Sequence, residues 1–257
     1  MCTLRKRGSA IVISFSGIDG AGKTTQIESL CARMKEAGLR IRVIAFWDNV
    51  AKLTRLREGT SHLLFKSDKG IGAPSAPINR RDKNVRSWFM SGVRLLLYTL
   101  DAVSARAAVK RALCSDNDMV VFDRFIYDQL ANLNLRNPAM RAYARLTAKY
   151  VPKPHISYLL DADPIQARTR KPEYPVEFLQ ANRQSYLTLN DLVGGMTVIG
   201  PMPIADTERN IFGHILSELS RLDHSTNREI EARERIGDGA LQAGKRSRPV
   251  ASNRTSP

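Results

Sequence analysis

The chain has 257 residues, 43% hydrophobic and 25% charged, which suits one large α/β domain with a well-buried core. It lacks the run of roughly 20 apolar residues that a bilayer span needs, and Cys2, Cys31 and Cys114 have neither disulfide nor metal spacing; membrane-spanning and disulfide-scaffold classes are excluded, and a reducing cytoplasmic setting is expected. The formal charge of +15 calls for anionic partners, and because it is spread along the chain without interleaved aromatics, small anions such as nucleotides are expected rather than nucleic acid.

Residues 1–9 read as a short basic leader. Ala10-Ile11-Val12-Ile13-Ser14-Phe15-Ser16 is a β-branched apolar run that predicts a buried strand. Gly17-Ile18-Asp19-Gly20-Ala21-Gly22-Lys23-Thr24 follows and fits G-x-x-x-x-G-K-[ST], a phosphate-binding P-loop. Thr25 to Ala37 then predicts a helix with Ile27, Leu30, Cys31 and Met34 on one face and Gly38 as C-cap. Strand, glycine loop and helix is the context the motif requires. Inward loop N–H groups and the helix N-terminus favour a polyphosphate. Gly17, Asp19, Gly20, Ala21, Gly22, Lys23, Thr24 and Thr25 are therefore the candidate nucleotide-binding residues, with Lys23 on the β- and γ-phosphates and Thr24 on Mg²⁺.

Ile41 to Trp47 predicts the second strand. The segment 48–86 is polar, basic and turn-rich, and is expected to be part helix and part functional loop. A long helix is predicted from Ser87 to Leu113, and a third strand over Met119-Val120-Val121-Phe122, with Asp123-Arg124 at its C-terminal end. A helix from Tyr127 to Tyr150 has a break signal at Asn137-Pro138. His155 to Leu160 is the fourth strand, and Asp163-Pro164 is an N-cap with an N1 proline. The basic stretch Arg168-Thr169-Arg170-Lys171 comes one turn later, bounded by Pro172 and Pro175. Val176 to Leu192 is a further helix and Met196 to Ile199 a fifth strand. Asp206 or Thr207 can cap a last helix carrying Ile211, Phe212, Ile215, Leu216 and Leu219. Residues 223–257 are poor in large apolar residues and read as a disordered or partly helical tail.

Alternating strands and helices predict an α/β three-layer sandwich of the P-loop NTPase kind: a five-stranded parallel sheet with helices on both faces. Ligands of such sheets bind beyond the carboxyl ends of the strands, where the P-loop and Asp123-Arg124 both fall. Phosphoryl transfer needs positioning and charge neutralisation. Asp123 suits a metal ion or its waters, and the Arg124 fork suits an anionic acceptor. Ile18 to Ala21 contains no arginine, so a further cation must come from elsewhere, and Arg168, Arg170 and Lys171 are candidates. Trp47 and Trp88 fit the core, with Trp47 also able to stack a base.

Three blocks together resemble the thymidylate kinase family of P-loop nucleoside-monophosphate kinases: Phe15 to Gln26, Asp123-Arg124-Phe125 with Leu130-Ala131, and Leu160 to Pro164 followed by Arg168 to Lys171, Glu177-Phe178 and Arg183 to Tyr186. The resemblance implies a kinase domain over 10–222 with a lid about 164–176, ATP and Mg²⁺ as nucleotide and metal, and a homodimer. It implies that Asp19 contacts the acceptor and that Arg170, then Arg168, is the lid arginine. The acceptor half departs from the family. An Arg-Glu-Pro-Gly type loop is replaced by Phe46-Trp47-Asp48-Asn49, and the base-reading arginine of an Asp-Arg pair by Ala102 of Asp101-Ala102. Where the family has a serine and a Tyr-Gln pair stand Asp128 and Asn132-Leu133. The expected acceptor is a nucleoside monophosphate or a similar small anion, with thymidylate a poor acceptor or at least not the sole one; a nucleoside or other small-metabolite kinase, or a nucleotide-binding regulatory ATPase, is the alternative.

Overall fold

A computed structural model describes residues 10–50 and 88–221. The leader, most of the 48–86 segment and the 223–257 tail lie outside the described residues. Five strands form one parallel sheet in the order β2-β3-β1-β4-β5, with β1 over Ile11–Gly17, β2 over Ile41–Ala45, β3 over Met119–Asp123, β4 over Ile156–Leu160 and β5 over Thr197–Ile199. All seven residues of β1 are buried. Successive strand side chains point to opposite faces, so an unbroken buried run means that both faces of the sheet are covered. This explains why the sequence of β1 is continuous apolar and small residues rather than an alternation.

The helices are α1 (Lys23–Glu36), α2 (Trp88–Leu113), α3 (Ile126–Leu130), α4 (Pro138–Tyr150), α5 (Pro164–Arg170), α6 (Val176–Val193) and α7, residues 204–221. Helix α1 packs on β1, β2 and β3 through the expected stripe of Ile27, Leu30, Cys31 and Met34. Helix α2 packs on β1 and on α3 and α4. Asn137 caps α4 by accepting from the Ala139 N–H at 2.8 Å, with Pro138 at its start, and Asp163 caps α5 through Ile165 and Gln166 in the same way. The core runs through Val12, Phe122, Phe125, Leu159, Leu179 and Leu189 among others.

Four boundaries differ from expectation, one being the start of α7 at residue 204, which puts Asp206 and Thr207 inside the helix with their N–H groups on the Pro203 carbonyl rather than at its cap. Strand β2 stops at Ala45, and Phe46–Val50 turns into one π-helical turn. Phe46 is buried there, and Trp47 packs against it edge-on at 5.3 Å. A short apolar run reads alike as strand or buried turn, so periodicity alone does not stop the strand at Ala45. The helix expected over Tyr127–Tyr150 is two helices, α3 and α4, because the chain turns between Ala131 and Asn137 before Pro138 restarts it. Helix α1 begins at Lys23 rather than Thr25.

The chain divides into two compact units at Arg209/Asn210. The sheet and the P-loop belong to the first. In the second, residues 210–221 are helical, Ile211 and Ile215 are buried, and Arg221 pairs with Glu218 at 2.6 Å. Among the described residues no helix is long and apolar enough to cross a membrane.

Candidate active site

The site begins with backbone geometry. Gly17, Gly20 and Gly22 have φ of 144°, 81° and 87°. All three lie where a side chain is strained; a Cβ at Gly17 would sit 2.5 Å from the carbonyl oxygen of Leu160, and one at Gly20 2.2 Å from that of Ala167 in α5. Gly22 is the N-cap of α1 and offers no side chain to its first N–H groups, which leaves them for an anion. Thr24 and Thr25 are exposed in that first turn.

Lys23 is 7% exposed and folds back over the loop. Its Nζ donates to the carbonyl oxygens of Gly17 at 2.9 Å and Ile18 at 2.8 Å. Burial, with the Arg124 charge beside it, brings its amine down to about 8, against the opposing pull of Asp128, Asp19 and Asp123. A buried ammonium with only two carbonyl partners is well suited to gain phosphate oxygens.

Asp19 joins the loop to two other elements. It accepts from Arg124 Nη2 and lies 3.9 Å from Lys171 Nζ, just past the end of α5. Burial acts to raise its carboxyl, but the charges of Arg124, Lys23 and Lys171 outweigh that and hold it below the usual carboxylate range. Arg124 leaves β3 with φ 68° and donates its N–H to the Phe15 carbonyl at 2.9 Å. Its guanidinium is opposed by burial and favoured by Asp128 and Asp19, and is held above its ordinary value.

The lid-like block is α5. Arg170 reaches the loop, with Nη1 donating to the Gly20 carbonyl at 3.4 Å, and Lys171 also pairs with Glu173 at 3.3 Å. Arg168 is half-buried and forms no ion pair or hydrogen bond among the described residues. Of the expected site residues, Gly20, Lys23, Asp19, Arg124 and Arg170 thus meet at the mouth of the loop; Arg168 does not join them.

Asp123 ends β3 in register with Phe15 of β1 and Ala45 of β2, and no described side chain hydrogen-bonds it. Its carboxylate, like the Thr24 hydroxyl, is a hard oxygen donor of the kind Mg²⁺ accepts alongside phosphates and waters. Among the described residues no group of three acidic, His or Cys side chains could hold a metal alone. His155 is structural, its Nδ1 accepting from the Val12 N–H at 2.9 Å. Trp88 opens α2, and its side chain lies outside the described residues.

Two features are new relative to the sequence reading. A shallow, open cleft beside the loop is lined by Ala21, Asp161, Gln166, Arg170, Gly200 and Met202 among others. Asp161 on its wall is clamped by Arg183, Nε to Oδ1 at 2.5 Å and Nη2 to Oδ2 at 2.7 Å. On the other side, buried Asp101 accepts from Gln129 Nε2 at 2.5 Å, and Ala102 is a core residue, 3% exposed. An arginine at 102 would have to leave that packing.

The family model described as methylmalonyl Co-A mutase-associated GTPase MeaB matches residues 2–53, the stretch holding β1, the P-loop, α1 and β2. A thymidylate kinase of Prochlorococcus marinus is 33% identical over 50% of this chain and 56% of its own length. A thymidylate kinase of Chlorobium luteolum is 28% identical over 63% of this chain and 66% of its own. The chain thus spans between half and two thirds of these relatives. The crystal structure of thymidylate kinase from Ehrlichia chaffeensis has a TM-score of 0.49 at 18% identity, over 81% of this chain and 99% of that one.

Proposed function

We infer, for a chain that is thymidylate kinase-like in sequence and P-loop α/β in fold, that it transfers the γ-phosphoryl group of ATP to a small anionic acceptor of the nucleoside-monophosphate class. The observation that carries this reading is the meeting of Lys23 and Asp19 of the loop with Arg124 and Arg170 at one loop mouth, from three separate parts of the chain. A nucleotide-binding switch needs the loop; it does not need an arginine facing the loop from the end of the neighbouring strand.

The ATP phosphates would lie in the loop, on the uncapped N–H groups of α1 and on Lys23. The cleft lined by Ala21, Gln166 and Gly200 would take the base and ribose. Mg²⁺ would be held by Thr24, with Asp123 on it or its waters, and would neutralise charge between the β- and γ-phosphates. Arg124 would face the acceptor phosphate. A monophosphate oxygen of the acceptor bonds to the γ-phosphorus as the bond to the bridging oxygen breaks, and ADP leaves. That oxygen is already anionic near neutral pH, so no strong general base is required. The low carboxyl of Asp19 and its two cationic partners suit an anchor between loop, Arg124 and lid rather than a proton acceptor.

The acceptor screen tests the reading: purified protein, ATP and Mg²⁺ against nucleoside monophosphates, nucleosides and phosphorylated sugars. A monophosphate other than thymidylate is expected to be turned over best, because Ala102 supplies no donor to a base. Efficient and selective use of thymidylate would overturn that preference. Nucleosides alone would make it a nucleoside kinase, and no acceptor at all would leave a regulatory ATPase.

The lid makes a separate prediction. Arg170→Ala should lower kcat by about ten- to a hundredfold while the KM for ATP changes little, because a cation that closes on the transferring phosphate acts mainly in the transition state. Arg168→Ala should have the smaller effect, since Arg168 does not reach the loop. Steady-state kinetics of both variants with the acceptor found by the screen decide this. Near wild-type kcat in both rejects the lid role.

A further inference from the structure

Asp128 has no part in the transfer scheme above, yet the site is built around it. It is 2% exposed and lies four residues after Arg124. Its Oδ2 accepts from the Ser16 hydroxyl at 2.7 Å and the Phe125 N–H at 3.0 Å. Its Oδ1 accepts from the Tyr186 hydroxyl at 2.7 Å and from Arg124 Nη1 at 3.3 Å. Those donors come from β1, the turn after β3, and α6. A carboxylate held by four donors from three directions has no freedom to swing.

Arg124 is different. It is 23% exposed, with one side of its fork on Asp128 and the other on Asp19 of the P-loop. Its backbone is left-handed, a conformation that a residue with a side chain keeps only where its surroundings over-determine it. The bond from its N–H to Phe15 and the bond to Asp128 supply that constraint.

We propose that Asp128 is a positioning residue, which fixes the Nη1 side of Arg124 so that the Nη2 side, resting on Asp19, is presented to an incoming phosphate. The proposal rests on the phosphoryl-transfer reading. The phosphate takes the place of Asp19 on Nη2 while Nη1 stays on Asp128. The direction of the fork is then set before the ligand arrives, which spares the ordering cost at the moment of reaction. A serine at 128, as in the resembling family, leaves no carboxylate to hold the fork, so this device belongs to the chain at hand.

The first test needs no acceptor. In the ¹⁵N-labelled full chain, the arginine side-chain signal that vanishes in Arg124→Lys is that of Arg124. Asp128→Asn should move it towards the position of freely exchanging arginines. A signal that stays in place overturns the proposal. The second test uses the acceptor from the screen. Asp128→Asn and Arg124→Lys should each lower kcat about tenfold or more, with the KM for ATP within about threefold, and the double variant should be no slower than the slower single. Multiplying effects, or a lowered melting temperature with kcat per active site unchanged, would show that Asp128 does not act through Arg124. Where Asp128→Asn does not fold, Asp128→Ser carries both measurements. A screen without any acceptor refutes the kinase reading, and the arginine spectrum still decides whether Asp128 holds Arg124.

Discussion

Replacing Lys23 with alanine is expected to lower phosphoryl transfer about a thousandfold or more, the scale of losing one positioned cation at a transferring phosphate. The fold should survive, since the ammonium is buried at a cost and bonds only the carbonyls of Gly17 and Ile18. The measurement is single-turnover transfer from ATP with the melting temperature as control. A variant keeping most of its rate would remove the kinase reading. The same side chain predicts a pH dependence in the wild type. Its amine titrates at about 8 in the free protein, so ATP affinity should weaken as pH rises through that value, by about fivefold between pH 8 and 9 if the ammonium is required. Stability should move the other way. The unfolded lysine keeps its proton up to its ordinary 10.5, so the unfolded state binds more protons between 8 and 10.5, and the penalty for burying the ammonium is relieved as pH rises through that window. Calorimetric ATP titrations and melting curves across pH 7 to 10 should therefore diverge.

Gly20→Ala should be the most damaging single-methyl change in the loop. The new Cβ would meet the Ala167 carbonyl oxygen at 2.2 Å, and that atom is backbone of α5, which has no cheap way to yield. A left-handed φ adds strain of about 1–2 kcal/mol, and overpacking about 1–3 kcal/mol more. Gly22→Ala is the built-in comparison. Its φ is 87°, but nothing lies within 4 Å of its Cβ, so only the conformational part applies. Gly20→Ala should show the larger fall in melting temperature and lose ATP affinity at least tenfold more, on the same energy scale. Equal effects in the two variants would mean that α5 is not seated on the loop.

The parts legible in the sequence are those where chemistry demands a residue type locally. The P-loop needs glycines where φ is positive, and a buried central strand needs an unbroken apolar run; both were read in place. So was the cap at Asp163; Asn137-Pro138 was legible as a break in the helix, and its capping role is seen only in the fold. The parts that were not legible join distant residues. Ser16, Asp128 and Tyr186 converge on one carboxylate, but nothing in Asp128 itself separates a buried hub from an ordinary helix-surface aspartate. Only its spacing of four from Arg124 offered a signal. The cleft beside the loop was missed for the same reason, since its walls come from β4, α5 and the segment after β5. Arg170 stood ahead of Arg168 only through the family resemblance; the helical turn of α5 sends only Arg170 to Gly20. Phe46 to Asn49 was read as a departure from the family loop, and the π-helical turn there is the physical form of that departure.

Strand β1 precedes both of the strands that it pairs with. Its partners are β3, beginning at Met119, and β4, beginning at Ile156. The links that close the loop span 105 residues from Asp19 to Arg124, 112 from Ser16 to Asp128 and 150 from Gly20 to Arg170. A chain emerging from the ribosome therefore carries its phosphate-binding sequence exposed, with an unpaired apolar strand, until β3 and β4 have followed it. Such non-local pairing is slow, because the entropy of loop closure comes before any contact rewards it. Nucleotide binding should accordingly appear only after the last strands have docked, and the nascent β1 is the segment for which a chaperone has most to shield.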